Sequence, residues 1–139
     1  MESQDAIVEI PKTMEKYFGC SGKMLKPSPR TVAALIQTIP KGRVATIHAV
    51  CKKLAQKYKT EVACPATTEK SLCMAAAESV EQNTGLPYWR VLKKNGELIQ
   101  KFPDGINGHA AHLAREGHQI ISTSKSKGVV AFESVLHPL

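Results

Sequence analysis

The chain has 139 residues and a formal net charge of +7, so it fits one compact domain and is basic. A basic balance favours nucleic acid or another anionic surface as the partner. No apolar run approaches the roughly 20 residues that a membrane span needs, and the first residues lack the features of a signal peptide. The spacing of the four cysteines fits neither a zinc knuckle nor a redox pair, so we expect reduced structural thiols in the cytoplasm.

The first part of the chain predicts an N-terminal extension followed by a helix. Residues 1–27 form the extension, with a short helix at Lys12–Phe18 before a series of glycines and prolines. Ser28 followed by proline is typical of a helix start, and Pro40 ends the apolar pattern of this helix. A short basic strand is predicted at 41–45.

Two further helices follow, and the first of them is strongly amphipathic. It is capped by Thr46 and reaches Tyr58. Its apolar face recurs at helical spacing and contains Ile47, Val50, Cys51, Leu54 and Ala55. The next helix, capped by Thr67 or Thr68, runs to about Gln82. Its predicted inner side consists of Leu72, Cys73, Ala76 and Val80.

A turn at Asn95-Gly96 lies between two strand-like runs, 88–93 and 97–102, and predicts a β-hairpin. Three helices followed by a hairpin is the plan of a winged helix-turn-helix DNA-binding domain. We therefore expect a mainly α fold with a small β hairpin, in a domain that covers residues 28–121.

The last elements complete this domain and leave a C-terminal tail. Asn107 caps a helix that Gly117 ends. Residues 120–121 and 129–132 predict a small strand pair, so the tail at 122–139 contains a strand.

Several ordered motifs resemble one protein family. Residues 39–44, Ile-Pro-Lys-Gly-Arg-Val, and residues 87–91, Pro-Tyr-Trp-Arg-Val, are similar to the DNA-binding domain of the O6-alkylguanine-DNA alkyltransferases. They resemble still more closely the inactive relatives of these enzymes, the alkyltransferase-like proteins. The likeness continues through the Asn-Gly turn, residues 102–105 and residues 115–118.

The resemblance implies a protein that is not an enzyme. In the family motif Pro-Cys-His-Arg-Val the cysteine accepts the alkyl group, the histidine activates it, and a glutamate orients the histidine. Here Tyr88 stands at the cysteine position and Trp89 at the histidine position, while Glu116 matches the glutamate. A phenol with a pKa of about 10 and no neighbouring base is a poor acceptor. We therefore expect no alkyl transfer, no catalytic residue and no cofactor.

The resemblance also implies a lesion pocket formed by Tyr88, Trp89, Phe102 and Glu116. An aromatic side chain stabilises a flipped base by stacking, and the Tyr88 hydroxyl would face the base edge. Alternatively, Tyr88 and Trp89 are alternating residues of a buried strand and fill the vacated pocket. The sequence leaves both interpretations open.

DNA contacts are predicted on the second and third helices, the hairpin and the motif arginine. The predicted contact residues are Lys52, Lys53, Lys70, Ser71, Arg90, Lys93 and Lys94. A solvated face remains the alternative for the lysines of the second helix. Ile47 replaces the family tyrosine that rotates the target phosphate, and Lys70 and Ser71 are the nearest candidates for the arginine that fills the gap of a flipped base. These departures weaken the case for base flipping more than the case for DNA binding.

The expected function is recognition of O6-alkylguanine in double-stranded DNA by a monomeric protein that signals repair, with nucleotide-excision-repair proteins as further partners. A winged-helix DNA-binding or regulatory module without lesion recognition is the alternative. A metal site at His109, His112 and His118 lacks further ligands, so we interpret these residues as surface histidines. Cys64 lacks a base that would activate its thiol.

Overall fold

The computed structural model describes residues 5–122, 127–129 and 131–139. Helices dominate and the sheets are small, which confirms the predicted mainly α fold class. The helices are α1 (Lys12–Phe18), α2 (Pro29–Ile36), α3 (Ile47–Tyr58), α4 (Pro65–Gln82) and α5 (Gly105–Arg115). The strands are β1 (Ala6–Glu9), β2 (Lys23–Lys26), β3 (Ala45–Thr46), β4 (Val62–Ala63), β5 (Val91–Leu92), β6 (Ile120–Ser122) and β7 (Lys127–Val129). No helix within the described ranges is long and apolar enough to span a membrane.

Helices α2 and α3 begin at the predicted caps. The Ser28 hydroxyl accepts a hydrogen bond from the Thr31 backbone N–H at 3.3 Å. The Thr46 hydroxyl accepts one from the Ala49 N–H at 3.2 Å. Both bonds satisfy an N–H group that has no partner inside its helix. Helix α2 ends at Ile36, before the predicted proline stop.

The predicted starts of α4 and α5 are wrong. Helix α4 begins at Pro65. Proline is tolerated in the first turn because the N–H group that it lacks would have no partner inside the helix there. Thr68, a predicted cap, is fully buried inside the helix. Helix α5 begins at Gly105 instead of at Asn107. In both helices, the residues just before the predicted capping residue already belong to the first helical turn.

The N-terminal segment is an integral part of the fold rather than an appendage. Strand β1 pairs antiparallel with β2, and β2 pairs parallel with β4, which joins α3 to α4. Leu25 of β2 is fully buried in the main core, among residues of α2, α3 and α4. The Asp5 carboxylate accepts hydrogen bonds from the Ser28 N–H at 2.7 Å and from the hydroxyls of Thr31 and Tyr58 at 2.8 and 2.9 Å.

The turn of the predicted hairpin forms, but the chain segments on either side of it pair with other parts of the protein. Tyr88–Arg90 form a 3-10 turn, and β5 after them pairs parallel with β3. The Asn-Gly turn forms, since the Lys93 N–H donates to the Glu97 carbonyl at 2.9 Å and the Gly96 N–H donates to the Lys93 carbonyl at 2.9 Å. The chain after this turn bridges to Gly128, in the C-terminal part, instead of returning along β5.

The predicted C-terminal strand pair forms, with β6 antiparallel to β7 and Ile120 opposite Val129. The second strand ends earlier than expected, and Phe132–Val135 form a 3-10 turn. Residues 123–126 and 130, on which parts of this prediction fall, lie outside the described residues.

The C-terminal residues pack beside β3 and complete the core. The Val44 N–H donates to the Val135 carbonyl at 2.9 Å, and the His137 N–H donates to the Val44 carbonyl at 2.8 Å. Leu139 packs against the main core. The strand predicted at 41–45 is therefore reduced to this bridge at Val44 and the short strand β3 that follows it.

Candidate functional site

Tyr88 lies at the centre of an aromatic cluster. Its ring meets those of Trp89, Phe102 and His112 edge-on, with centroid distances of 5.2, 4.9 and 5.8 Å. Its hydroxyl donates to the Asp104 carboxylate, with distances of 2.8 and 3.0 Å to the two oxygens. Tyr88 is only 2% exposed, and Phe102 only 3%. The hydroxyl is thus bonded to a carboxylate inside the protein, and the contact of Tyr88 with a base edge stays a prediction.

The surroundings of Tyr88 keep its phenol protonated. Burial raises the pKa of Tyr88, and the hydrogen bond to Asp104 and the negative charge of that carboxylate raise it further. A nucleophile would need the opposite environment, with a base that takes the proton or a positive charge that stabilises the anion. Burial and the Asp104 carboxylate therefore both disfavour the phenolate form of Tyr88.

Trp89 stacks on His112, with ring centroids 4.2 Å apart and an interplanar angle of 10°. His112 Nε2 lies 3.2 Å from a carboxylate oxygen of Asp104, and its Nδ1 lies 3.4 Å from Nη1 of Arg115. The 3-10 turn brings both Tyr88 and Trp89 against the same imidazole. Their predicted alternation along a strand is therefore wrong, although Tyr88 does fill the interior as that interpretation proposed.

His109 is fully buried and both of its ring nitrogens are occupied. Nδ1 accepts a hydrogen bond from the Ile99 N–H at 3.1 Å, so Nε2 carries the proton and donates to the Trp89 carbonyl at 2.7 Å. Burial lowers the pKa of His109 to about 4, against the smaller opposing effect of these bonds. The interpretation as a surface histidine is wrong here. Across the described ranges, no group of three or more His, Cys, Asp or Glu residues is placed to hold a metal ion.

Arg90 and Glu116 form an ion pair whose side chains are 15% and 7% exposed. Arg90 Nη2 donates to Glu116 Oε2 at 2.7 Å and Nε donates to Oε1 at 3.0 Å. Arg90 Nη1 donates to the Ile39 carbonyl at 2.7 Å. Burial alone would raise the pKa of Glu116, but the hydrogen bonds and charge of Arg90 outweigh it and lower the pKa. The guanidinium is therefore engaged within the protein, and its predicted DNA contact stays a prediction.

The predicted DNA-contacting lysines differ in exposure. Four are exposed on α3, α4 and the turn after β5, namely Lys52, Lys70, Lys93 and Lys94. Lys53 is half-buried. Ser71 is buried, and its hydroxyl donates to the Pro27 carbonyl at 2.7 Å.

A cleft of about 450 Å³ lies along the outer face of α4. It is lined by Ala66, Glu69, Lys70, Cys73, Met74, Ala77 and Lys101. The six α4 positions follow the i, i+3, i+4, i+7, i+8, i+11 spacing of one helix face. Sequence reasoning selected only Lys70 of this set and assigned Cys73 to the inner side. The available signal was the pair Ala66 and Ala77, whose small side chains lie at the two ends of this helix face.

The four cysteines are free. Cys73 is half-buried in the cleft, where burial and then the charge of Glu69 raise its pKa to about 11. Its thiol is therefore protonated and uncharged at neutral pH. Cys64, the alternative nucleophile, is only 7% exposed.

The fold defines a helix-dominated domain of the kind found in alkyltransferase-like proteins. A structure of S. pombe Atl1 in complex with damaged DNA containing O6-carboxymethylguanine is 18% identical, with a TM-score of 0.55, over 78% of this chain and 93% of that chain. A structure of S. pombe ATL in complex with DNA is 17% identical, with a TM-score of 0.59, over the same shares. At this identity the likeness establishes a shared fold. No protein-family model and no curated protein sequence matches the chain.

Proposed function

We propose that this protein binds double-stranded DNA through the outer face of α4 and does not catalyse alkyl transfer. The observation that carries the proposal is the exposed face of α4, where Lys70 lines a cleft together with Ala66, Ala77 and a second lysine, Lys101. Exposed lysines on α3 and after β5 add positive charge, and the chain as a whole carries +7. Both similar structures contain DNA, which supports the same class of partner.

The proposed lack of catalysis rests on the environment of Tyr88. Its hydroxyl donates to Asp104, and both burial and that carboxylate raise the pKa of the phenol. An acceptor for an alkyl group has to present a lone pair that is free for attack. A phenol that stays protonated is a weak nucleophile, and burial keeps Tyr88 out of reach of an alkylated base.

Recognition of a damaged guanine is the second candidate function. It is favoured by the O6-carboxymethylguanine in the DNA of one similar structure. The burial of Tyr88 argues against the lesion pocket that the sequence predicted. If the protein recognises lesions, the modified base is read outside this cluster, and excision-repair proteins are the partners expected to receive the signal.

The test is a titration of the whole protein into fluorescent duplexes at several salt concentrations. We expect the affinity to fall steeply with salt, and Lys70→Ala to reduce the logarithmic salt slope by about one. Lys12→Ala, on the exposed side of α1, is the matched control and should leave the slope unchanged. No binding, or binding that is independent of salt, contradicts the proposal.

A second duplex that carries O6-methylguanine at one position separates the two candidate functions. An affinity at least about tenfold higher, or about 1.4 kcal/mol, supports lesion recognition. Equal affinities leave DNA binding without lesion recognition.

A further inference from the structure

Strand β1 forms an edge of the N-terminal sheet, and the main-chain groups of alternate residues face away from that sheet. The strand order is β1-β2-β4, so within the described part of the chain β1 has a neighbouring strand on one side only. The Ile10 N–H donates to the Gly22 carbonyl at 2.8 Å, and hydrogen-bonded and non-hydrogen-bonded pairs alternate along an antiparallel ladder. Val8 therefore belongs to a hydrogen-bonded pair with β2, whereas the N–H and C=O groups of Ile7 and Glu9 point away from β2.

The hydrogen bonds on the far side of β2 agree with this alternation. Leu25 lies opposite Ile7, and its carbonyl accepts a bond from the Cys64 N–H at 2.8 Å, on the side away from β1. Lys23 lies opposite Glu9, and its carbonyl accepts a bond at 3.1 Å from the chain just before β4. The outward main-chain groups of Ile7 and Glu9 are therefore available to a further strand.

The edge presents apolar surface and has little of the protection that is usual for an edge strand. Ile7 is 52% exposed. Natural edge strands are protected by proline, by bulges or by charged side chains. The sequence of β1, Ala-Ile-Val-Glu, contains no proline, and Nζ of Lys23 lies 3.7 Å from the Glu9 carboxylate and partly compensates its charge. Strand β1 is therefore open to pairing with another chain.

We propose that β1 pairs antiparallel with β1 of a second copy of this chain, about a two-fold axis beside Val8. Ile7 of each copy then lies opposite Glu9 of the other, and about four main-chain hydrogen bonds join the two strands. An isologous contact of this kind closes on itself and gives a dimer. Strand β1 shares no residue with the α4 cleft, so the dimer does not depend on the proposed DNA binding.

The charges along the edge select this register and make the strand complementary to itself. Asp5, Ile7 and Glu9 alternate along one face. An axis beside Ile7 would place Glu9 of one copy opposite Asp5 of the other, and like charges directly opposite each other are destabilising. An axis beside Val8 instead places the Glu9 carboxylate opposite an aliphatic side chain. It also brings the two Val8 side chains together as a non-hydrogen-bonded pair, in which β-branched side chains approach most closely.

Sedimentation equilibrium of the whole protein, at concentrations up to about 1 mM, tests the dimer. This range is needed because one short strand pair buries less than the roughly 800 Å² per partner of a standard interface. We expect the average mass to rise towards twice that of the monomer. Ile7→Asp places a second acidic group opposite Glu9 and should weaken association at least about fivefold. Ile7→Lys places a cation there and should not weaken it.

Ile121→Asp is the matched control, because Ile121 is 51% exposed and lies on β6, outside the proposed contact. It should associate like the wild-type protein. The overall charge of +7 makes the test sharper. General repulsion between two basic molecules would be reduced by Ile7→Asp and increased by Ile7→Lys, which is the opposite of the expected order.

Cysteine cross-linking tests the register. Across the axis the two Val8 Cα atoms would be about 4.5 Å apart, within the span of a disulfide, whereas the two Ile7 residues would be diagonal neighbours about 7–8 Å apart. With oxidised glutathione as the oxidant, Val8→Cys should form covalent dimers at least about fivefold faster than Ile7→Cys. The wild-type protein, with its four free cysteines, gives the background rate.

Each outcome decides the inference. A chain that stays monomeric over the whole concentration range overturns it. Association that Ile7→Asp and Ile121→Asp weaken equally places the contact elsewhere, and cross-linking that is equally fast in both cysteine variants overturns the register. Failure of the protein to bind duplex DNA would overturn the proposed function and leave this dimer unaffected.

Discussion

Removing the hydroxyl of Tyr88 distinguishes a structural role of this residue from contact with DNA. The hydroxyl lies 2.8 and 3.0 Å from the two carboxylate oxygens of Asp104. Tyr88→Phe keeps the ring in place against Phe102 and deletes only this bond. Hydrogen bonds to charged groups contribute about 1.5–3 kcal/mol. Because the Asp104 side chain is 35% exposed, water replaces part of the lost bond, and we expect the free energy of unfolding to fall by about 1 kcal/mol.

Urea unfolding followed by fluorescence is the assay, since Trp89 is the single tryptophan and touches Tyr88. A loss of about 1 kcal/mol corresponds to a fall in Tm of about 4 °C for a domain of this size. The affinity for duplex DNA, measured in parallel, should stay the same. Tyr17→Phe removes a hydroxyl from a residue that is 73% exposed and is the matched control for stability.

The opposite pattern would refute this reasoning. If Tyr88→Phe is as stable as the wild-type protein and binds DNA more weakly, the hydroxyl contacts DNA. The aromatic cluster would then be part of the interface, as the resemblance to the alkyltransferase family implied.

Three further perturbations test the other polar contacts. The pKa of folded His109 is about 4, below its ordinary 6.5, so between these pH values His109 takes up a proton on unfolding. The free energy of unfolding should therefore fall by roughly 3 kcal/mol as the pH falls from about 6.5 to 4. Urea titrations at stepped pH should show this slope, and His109→Gln should lose it. Glu116→Gln leaves Arg90 with an uncompensated charge away from water, and chemical unfolding should show a loss of about 3 kcal/mol. Burial raises the pKa of the Asp5 carboxyl, but hydrogen bonds led by the Ser28 N–H outweigh it and lower the pKa. The stabilisation by Asp5 is therefore complete above its unfolded pKa of about 4 and lost as pH falls through the folded pKa. Acid should therefore lower the amide protection factors of β1, taken relative to the intrinsic exchange rate at each pH, in the wild-type protein but not in Asp5→Asn.

Each of these has an outcome that contradicts it. A flat stability profile between pH 6.5 and pH 4 would mean that His109 is not held neutral. Glu81→Gln, at an exposed position of α4, is the control and should change stability little. An equal loss of stability in both glutamine variants would mean that the ion pair of Glu116 with Arg90 does not stabilise the fold. Protection factors in β1 that do not change with pH would mean that Asp5 does not stabilise the strand.

Local sequence signals predicted the helices well because their causes lie within a few residues. Ser28 and Thr46 cap α2 and α3 through bonds to residues three positions ahead. The apolar periodicity of α3 predicted its buried side, which includes Val50 and Leu54. These features depend on helical geometry alone.

The strand pairings and the site were harder to predict because their partners are distant in the chain. Strands β3 and β5 have two residues each, too few to show alternation, and they pair across α3 and α4. The burial of Tyr88 depends on Phe102, which the resemblance placed beside it, and on Asp104, which the sequence does not connect to it. The cleft could not be predicted because it is formed by α4 together with Lys101, which lies far from α4 in the sequence.

The pairing of β2 with β4 has a consequence for the order of folding. Met24 lies opposite Val62, so the strand that leads into α4 is completed by residues near the start of the chain. Such a long-range contact costs loop entropy before it contributes stability, and it slows folding relative to a bundle of local helices. A shortened chain that begins at α2 would lack Leu25, whose side chain is fully buried in the main core. The first strands thus help to hold β4, the strand that leads into α4, in its native position.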